Sequence, residues 1–488
     1  MASLPQIQTA LSYLRAGLLE EAKDACEAIV AEEPDEPAAL RLHGQIAYQE
    51  GDFARAAECL EISLTGKPDQ FSTWIKLGNV YADLGRNEDA KGAYDRAITL
   101  NPSRHLGHFW KGQAFASEGD LERAFQAYET AMKLNPEYGP AYRLIVKTGN
   151  PWVKTKAFRE GLELKAANLA IPADDRIHMH FALAFLFASE DKSDRVMGHL
   201  RLAKGLQKNR ARAWRPALAK LHAGMREFFS SDRAPLAEGQ GNGPVPILMV
   251  GVPRSGTTLL EAMLGCHPAI TAGGEAAAVP FVLKKIQDDG TGLDFPDGLS
   301  RLGADAWKNF SRRLADAYAG LAKGKPFVTD KLLSNGHVLG LVRFLVPGAK
   351  AVYVRRNPND TALSIFQNHF WEGSSPHLCA LDEIGYFLAE YENIMAFWRE
   401  RVPDAFHEVS YEALVRNPEA ELKAVFAYLG LPYDPACLRF HETKRATQTL
   451  SQSQVIKPLY QTSIGKAEAY MKDLEPFTAA YRSALAKA

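Results

Sequence analysis

The stretch that decides the fold of the second half of the chain is residues 244–274, PVPILMVGVPRSGTTLLEAMLGCHPAITAGG. Its apolar run at 246–250 predicts a buried parallel strand, and residues 257–264 carry Leu and Met at helical spacing. Residues 251–256 form a glycine-rich turn between them. Strand, glycine turn and helix in this order can cradle phosphate, because turn amides and the helix N-terminus point at the anion. The spacing alone also allows an ordinary turn between a strand and a helix.

The turn has the spacing of a phosphate-binding P-loop but lacks its lysine. A P-loop continues after its second glycine with Lys and then Ser or Thr, whereas Thr257 and Thr258 occupy those two places here. The missing lysine normally reaches the β- and γ-phosphates of ATP. Arg254, inside the turn, supplies a cation at another place. The sequence therefore predicts a phosphate-bearing cofactor that is not cleaved as ATP is.

Composition excludes several classes of function. Lys plus Arg number 57 against 58 Asp plus Glu, and the net charge of −1 provides no global field for nucleic acid or an anionic membrane. The five cysteines are scattered without a C-x-x-C pair, which favours free thiols in a reducing compartment. No stretch approaches a membrane span, and the N-terminus lacks the basic region of a signal peptide. We expect a soluble, cytoplasmic protein of two to four domains.

Residues 3–138 repeat with a period of 34, four times in register. Small residues, aromatic residues and a proline recur at fixed places, and the best copy carries them at Trp74, Leu77, Gly78, Tyr81, Gly85, Ala90, Tyr94, Ala97 and Pro102. This pattern resembles the tetratricopeptide repeat, which implies paired helices stacked into an all-α solenoid. Such arrays usually hold a peptide or a partner protein in a groove. A purely structural or dimerising role is the alternative.

Beyond residue 138 the pattern weakens while helical periodicity continues. We interpret 139–233 as degenerate helical repeats and a connecting helix near 214–229. A glycine- and proline-rich segment at 234–244 predicts a linker, followed by a second domain at 245–488.

A second motif lies at residues 350–370, KAVYVRRNPNDTALSIFQNHF. It predicts a strand at 351–354, a turn, and a helix at 361–370 with Asn359 or Asp360 as its cap. Arg356 at the strand end and Ser364 in the helix can converge on one phosphate. A surface arginine and a helical serine would be the simpler interpretation.

Together, PRSGTT at 253–258 and RNPNDTALS at 356–364 resemble the 5′- and 3′-phosphosulfate-binding motifs of sulfotransferases that use 3′-phosphoadenosine-5′-phosphosulfate (PAPS). The resemblance covers 244–488 and is strongest to the branch with tyrosylprotein sulfotransferases and bacterial proteins that join tetratricopeptide repeats to such a domain. It implies an α/β fold with a P-loop-like parallel sheet, in agreement with strands predicted at 246–250, 327–329, 351–354 and 406–410.

The resemblance also assigns roles to individual residues. The cofactor-binding residues would be Arg254, Ser255, Gly256, Thr257 and Thr258 around the 5′-phosphosulfate, Arg356 and Ser364 around the 3′-phosphate, and Tyr411 and Lys466 near the nucleotide. Glu275 would be the catalytic base, although Gly273-Gly274-Glu275 replaces the Gly-Glu-Glu of the tyrosylprotein branch. Arg254, Lys331 and Ser451 would stabilise developing charge without a metal.

Each of the catalytic assignments has a simpler alternative. Glu275 could cap a helix, Lys331 could be a surface cation, and Ser451 could be a loop hydroxyl. His369 is an alternative base, because a histidine serves in the cytosolic small-molecule branch. His267 and His369 are otherwise expected to shape turns and packing.

The leading hypothesis is a sulfotransferase that moves the sulfuryl group from PAPS to an acceptor hydroxyl, with the repeats docking the acceptor or a protein partner. Protein tyrosine is the favoured acceptor; a carbohydrate, a lipid or a small molecule remains open. A nucleotide kinase is the rival enzyme, and a repeat scaffold with an inactive second domain is the rival from another class.

Overall fold

The computed structural model describes residues 4–16, 19–190, 192–208, 214–230, 243–289, 295–370, 376–442, 459 and 461–486. By packing, the chain divides into two compact units, Met1–His199 and Leu200–Ala488. The predicted linker at 234–244 lies almost wholly outside the described residues. The packing division falls upstream of it, so that the helix predicted near 214–229 groups with the second unit.

The described part of the first unit is helical. Four helical hairpins occupy the predicted repeat region, and further helices follow. The helices are α1 (Leu4–Ala16), α2 (Leu19–Glu32), α3 (Pro37–Glu50), α4 (Phe53–Gly66), α5 (Phe71–Asp83), α6 (Asn87–Leu100), α7 (His105–Ser117), α8 (Leu121–Leu134), α9 (Gly139–Ile145), α10 (Lys156–Ala167), α11 (Ala173–Ala188) and α12 (Ser193–Lys208), which crosses the division.

Close packing between the two helices of a hairpin explains the small residues of the repeat. In the third hairpin, a Cβ atom on Gly78 of α5 would lie 2.3 Å from Cε1 of Tyr94 on α6. Tyr94 is 1% exposed, and its hydroxyl donates to Asn79 Oδ1 at 2.9 Å. The ring therefore fills the space that the missing side chain leaves, and the glycine sets the distance between the helices.

Within its described residues, the second unit contains one five-stranded sheet in the order β2-β3-β1-β4-β5, with every neighbouring pair parallel. The strands are β1 (Val245–Val250), β2 (Ile270–Ala272), β3 (Phe327–Asp330), β4 (Lys350–Arg355) and β5 (Phe406–Ser410). The four predicted strands are confirmed. Strand β2 was not predicted, because three residues are too few to show a period.

Along the chain, the helices of the second unit precede, separate and follow these strands. They are α13 (Arg215–Phe228), α14 (Thr257–Leu264), α15 (Ala278–Asp289), α16 (Ala304–Ala322), α17 (Leu339–Leu345), α18 (Pro358–Phe366), α19 (Leu381–Arg401), α20 (Tyr411–Arg416), α21 (Pro418–Leu429) and α22 (Glu475–Leu485). In the part of the chain that is described, no helix combines the length and apolar character needed to cross a membrane.

The helix predicted at 361–370 is placed differently in the structure. It begins at Pro358, and its cap is Asn357, whose side chain accepts hydrogen bonds from the amides of Asn359 and Asp360. Proline suits the first helical position because it has no amide to satisfy there. The prediction that Asn359 or Asp360 caps the helix was therefore wrong, and the Asp360 carboxylate is available for another contact.

The Gly78–Tyr94 contact generates a prediction for stability. Gly78→Ala should lower the free energy of unfolding of the repeats by about 1–3 kcal/mol, because the buried ring has no room to move. Gly92→Ala is the matched control in the same hairpin: it is exposed in α6 with no atom within 4 Å of the new Cβ. It should stabilise by roughly 0.5–1 kcal/mol.

The measurement is urea denaturation followed by far-ultraviolet circular dichroism. The expected order of midpoints is Gly92→Ala, then wild type, then Gly78→Ala. Equal midpoints for Gly78→Ala and wild type would contradict tight packing in this hairpin.

Candidate active site

The parallel sheet brings the predicted site residues to one edge. Because all five strands run in the same direction, the segments that follow their carboxyl ends share that edge. Each strand is followed by at least one predicted residue. The first of these are Glu275 after β2, Lys331 after β3, Arg254 after β1, Arg356 after β4 and Tyr411 after β5. The chain runs from β1 towards β2 on one side and from β4 towards β5 on the other. The crevice expected in such sheets therefore lies between the β1 and β4 loops.

The turn after β1 has the geometry of an anion-binding loop. Gly256 precedes α14 with φ 110°, and a Cβ there would lie 2.4 Å from Cδ2 of Tyr411. Ser255 is fully buried, and its hydroxyl has no hydrogen-bond partner among the described residues. Thr257 and Thr258 begin α14, where the first amides lack intrahelical acceptors. Buried polar atoms without partners are rare, so the Ser255 hydroxyl fits a ligand better than an ordinary turn.

The two sequence motifs meet through arginine contacts. Arg254 Nε donates to Ser364 Oγ of α18 at 3.0 Å, so the loop after β1 touches the helix after β4. Arg356 Nη1 donates to the backbone oxygen of Arg254 at 3.0 Å. The residues predicted for the 5′- and 3′-phosphate sites are thus neighbours.

Arg356 is held on three sides. Its Nη2 donates to the Ser463 carbonyl at 2.7 Å, and its guanidinium lies 4.7 Å from the centre of the Tyr411 ring. The Tyr411 hydroxyl is 2.7 Å from Ser463 Oγ. Arg356 Nε is buried without a partner among the described residues. The contacts exclude a freely solvated surface arginine, and the buried Nε–H is a donor that a ligand can use.

Asp360 fixes the segment that carries Lys466. Its carboxylate is buried and accepts from the amides of Gly465 at 2.7 Å and Ala467 at 2.8 Å. Lys466 lies between them and is exposed. Sequence reasoning missed this role for Asp360, because the partner amides lie more than 100 residues away along the chain. An acidic residue in the first turn gives no signal of that contact.

The predicted base and the predicted lysine form an ion pair. Lys331 Nζ lies 3.0 Å from Glu275 Oε1; the lysine side chain is 2% exposed and the glutamate side chain 52%. Lys331 is therefore not a surface cation. Next to it, burial raises the pKa of Asp330 to about 6, against hydrogen bonds from the Leu332 amide and the Tyr318 hydroxyl, which lower the pKa.

Two further residues that sequence reasoning missed support this edge of the sheet. The hydroxyl of the buried Tyr391 on α19 accepts from the Gly251 amide at 2.9 Å and donates to the Leu333 carbonyl at 3.0 Å. It joins the loop after β1 to the segment after β3. Glu261, buried on α14, contacts the segment before Glu275.

The remaining predicted residues are Ser451 with the late motif, which the structure does not describe, and two histidines, which it does. Ser451, with the late motif at 454–458, lies outside the described residues. His267 Nδ1 accepts from the Ala269 amide, so Nε2 carries the proton and donates to the Pro432 carbonyl at 3.1 Å. This is the turn-shaping role that we expected. His369 follows the end of α18. Within the described ranges, no three or more His, Cys, Asp and Glu side chains cluster as metal ligands would.

Comparison with protein-family models supports both halves of the prediction. Residues 246–435 match the model described as sulfotransferase family, and residues 7–70 and 75–138 match tetratricopeptide repeat. The chain joins tetratricopeptide repeats to a domain of the sulfotransferase family. The match to this sulfotransferase domain includes the loops after all five strands.

Relatives of the chain are similar at modest identity. A protein of Aquifex aeolicus (strain VF5), named only as uncharacterized, is 25% identical over 97% of this chain and 58% of its own length. Protein-tyrosine sulfotransferase A of Caenorhabditis elegans is 24% identical over 44% of this chain and 58% of its own length. The chain thus spans less than two thirds of either relative.

Among solved structures, the sulfotransferase domain of the Synechococcus PCC 7002 olefin synthase is 23% identical. It matches 49% of this chain and 96% of its own, with a TM-score of 0.35.

Proposed function

We propose that the chain is a PAPS-dependent sulfotransferase. The observation that carries the proposal is the contact between the two motifs, in which Arg356 holds the Arg254 carbonyl and Arg254 holds Ser364. PAPS carries two anionic groups, a 5′-phosphosulfate and a 3′-phosphate. Two adjacent arginines on loops at one sheet edge suit such a ligand.

The donors without partners also fit PAPS. The Ser255 hydroxyl and Arg356 Nε are buried without partners among the described residues, as is the Thr361 hydroxyl in the first turn of α18. Ser255 and the amides that begin α14 would hold the 5′-phosphosulfate, and Arg356 with Ser364 the 3′-phosphate. Tyr411 and Lys466 would line the nucleotide.

The residues around Glu275 suit sulfuryl transfer to a hydroxyl. PAPS would supply the sulfuryl group: a bond from sulfur to the acceptor oxygen forms, and the bond from sulfur to the phosphate oxygen breaks. The half-exposed Glu275 carboxylate would take the acceptor proton. Lys331 and Arg254 would stabilise, by their positive charge, the negative charge that develops on the departing oxygen. Ser451 would donate a hydrogen bond to that oxygen.

We propose a protein or peptide as the acceptor, with tyrosine favoured. The similarity to protein-tyrosine sulfotransferases and the position of Glu275 support tyrosine. The repeats support a macromolecule, because a docking surface in the same chain raises the effective concentration of a bound acceptor to roughly millimolar. A small freely diffusing acceptor would gain nothing from it.

One feature of the repeats indicates an acidic partner. Lys76 on α5 donates to Gln45 Oε1 on α3. Burial lowers the pKa of Lys76, and the neighbouring Arg41 lowers it further. Among the described residues, no carboxylate pairs with either cation. Two adjacent cations without a counter-ion favour an anionic segment of a bound protein.

We propose a cytoplasmic location, with which the cysteines agree. All five are free thiols. Burial raises the pKa of Cys26 to about 11, so its thiol stays protonated and unreactive. Such thiols suit a reducing compartment.

The first prediction tests the donor. Arg356→Ala should weaken binding of adenosine 3′,5′-bisphosphate roughly ten- to hundredfold, because a charge-assisted hydrogen bond to the 3′-phosphate is lost. Binding of AMP, which lacks that phosphate, should fall much less. Isothermal titration calorimetry measures both. Arg355→Ala is the matched control, since the adjacent Arg355 pairs with Glu408 and is half-exposed.

Equal losses for the two nucleotides would contradict the 3′-phosphate assignment. Preference of the wild-type protein for ATP over adenosine 3′,5′-bisphosphate would favour a nucleotide kinase instead.

The second prediction tests the base. Glu275→Gln should retain adenosine 3′,5′-bisphosphate binding and lose on the order of 10²–10⁴ in turnover, because the amide cannot accept the acceptor proton. Turnover is measured as transfer of radiolabel from PAPS to a tyrosine peptide. Near-normal turnover would show that another residue is the base. His369 is the next candidate, and His369→Ala is the variant that tests it.

The third prediction tests docking. The double variant Arg41→Ala with Lys76→Ala should raise KM for an acidic tyrosine peptide or protein and leave PAPS binding unchanged, because the two cations contact the acceptor only. Lys133→Ala is the control; this exposed lysine of α8 has Glu129 as its partner. Unchanged KM for every acidic acceptor tested would assign these cations to another partner.

A further inference from the structure

Glu261 is a buried carboxylate to which sequence reasoning gave no role. It lies on α14, one turn after Thr257, and is 2% exposed. A buried carboxylate is costly unless its oxygens receive hydrogen bonds or it lies near a cation. The environment of Glu261 supplies both, and both lead to the candidate catalytic residues.

Two hydrogen bonds converge on one oxygen of Glu261. Oε1 accepts from the Thr329 hydroxyl at 2.8 Å and from the Gly274 amide at 3.1 Å. Thr329 is in β3, two residues before Lys331, and Gly274 directly precedes Glu275. The carboxylate therefore ties the helix of the anion-binding loop to the segments that carry the candidate lysine and the candidate base.

The backbone around Gly274 is fixed from the other side as well. The Gly273 amide is shared between two acceptors on Thr329, the backbone carbonyl and Oγ1, each at 3.1 Å. The Thr329 hydroxyl therefore accepts one hydrogen bond and donates another. The Lys331 amide donates to the Gly274 carbonyl at 2.7 Å. In the turn before Glu275, the amides of Gly273 and Gly274 and the carbonyl of Gly274 therefore all have hydrogen-bond partners. These partners lie in β3, in the segment directly after β3, or in Glu261.

Electrostatics link the same groups. Burial raises the pKa of Glu261, and the Lys331 ammonium acts against that rise. Lys331 is itself buried and pairs with Glu275. The buried ammonium therefore lies in the field of two carboxylates, one buried and one half-exposed.

We infer that Glu261 is a positioning residue for the transfer reaction: by holding Thr329 and the Gly274 amide, it fixes Glu275 and Lys331 relative to the anion-binding loop. The inference rests on the proposed function for its effect on turnover. Its structural part, the restraint on the turn at 273–275, stands on the hydrogen bonds alone. Glu261 acts through Glu275 and Lys331 and does not contact the reacting atoms.

The test compares Glu261→Ala with Glu261→Gln in the full chain. The glutamine oxygen can still accept both hydrogen bonds, whereas alanine removes them. Glu419→Gln is the control, because Glu419 is an exposed glutamate of the same unit that pairs with Lys423. Three quantities are measured: hydrogen exchange of the peptide 270–278, binding of adenosine 3′,5′-bisphosphate, and turnover with PAPS and a tyrosine peptide.

Glu261→Ala should speed exchange of the Gly274 amide, which loses its acceptor, and lower kcat on the order of 10- to 100-fold, because the base is no longer held in place. KM for PAPS and nucleotide binding should stay within about threefold of wild type, since the anion-binding loop keeps its own contacts. Glu261→Gln should restore slow exchange and most of kcat. The control should match wild type in all three measurements.

Three results would overturn the inference. One is unchanged exchange and unchanged kcat in Glu261→Ala. Another is a loss of nucleotide binding equal to the loss of kcat, which would place the damage in the loop. The third is slow exchange together with low kcat in Glu261→Gln. That result would mean that kcat depends on the negative charge of Glu261 and not on the hydrogen bonds that hold the turn.

A second variant covers the case in which Glu261→Ala does not fold. Thr329→Val removes the hydroxyl that bridges Gly273 and Glu261 while nearly keeping the shape of the side chain. It should speed exchange at 273–274 and lower kcat, each by less than in Glu261→Ala, because the Gly273 amide keeps the carbonyl of residue 329 and the Gly274 amide keeps Glu261. Unchanged exchange together with unchanged kcat would overturn the inference. If the wild-type protein transfers no sulfuryl group from PAPS, the proposed function fails, while the exchange comparison still decides the role of Glu261.

Discussion

Parallel pairing of β1 with β3 on one side and β4 on the other is the constraint on which the candidate site depends. Parallel strands deliver their carboxyl ends to one edge, so loops that are far apart in sequence become neighbours. Arg254 and Arg356 are about one hundred residues apart along the chain, yet the second donates to the carbonyl of the first. An antiparallel arrangement would have sent half of these loops to the opposite edge.

Burial of charge is the second organising feature of this edge. Each buried ionic side chain uses backbone groups or a neighbouring counter-charge: Arg356 the carbonyls of Arg254 and Ser463, Asp360 the amides of Gly465 and Ala467. Removing one partner would leave an uncompensated charge, which costs far more than the pair contributes. The charged groups therefore fix the positions of loops that have little apolar surface of their own. Asp360 and Glu261 do so by accepting hydrogen bonds from backbone amides of those loops.

The repeats follow a simpler rule. Gly78 allows its helix to approach Tyr94, and the same relation recurs at Gly112 and Tyr128, where a Cβ would lie 2.7 Å from the ring. Contacts within and between adjacent hairpins are enough to stabilise such an array, so its structure can be predicted from a local sequence pattern. The neighbouring cations Arg41 and Lys76 of the array have no carboxylate partner in the described part of the chain.

The sequence by itself determined the repeats, four of the five strands, the glycine turn after β1 and the resemblance of the second unit to sulfotransferases, because these depend on periodicity and on motifs of a few adjacent residues. It also brought Arg254, Arg356, Ser364, Tyr411, Glu275 and Lys331 forward as candidates through resemblance. It placed the start of α18 wrongly, since proline at the first helical position moved the cap to Asn357. Only the tertiary structure decided that Lys331 is buried against Glu275, that Asp360 holds the Lys466 segment, and that Glu261 holds the turn before Glu275. Those contacts join residues 13 to more than 100 positions apart. No local pattern encodes such contacts, because they arise when the sheet aligns its strand ends and buried charges take the nearest available partners.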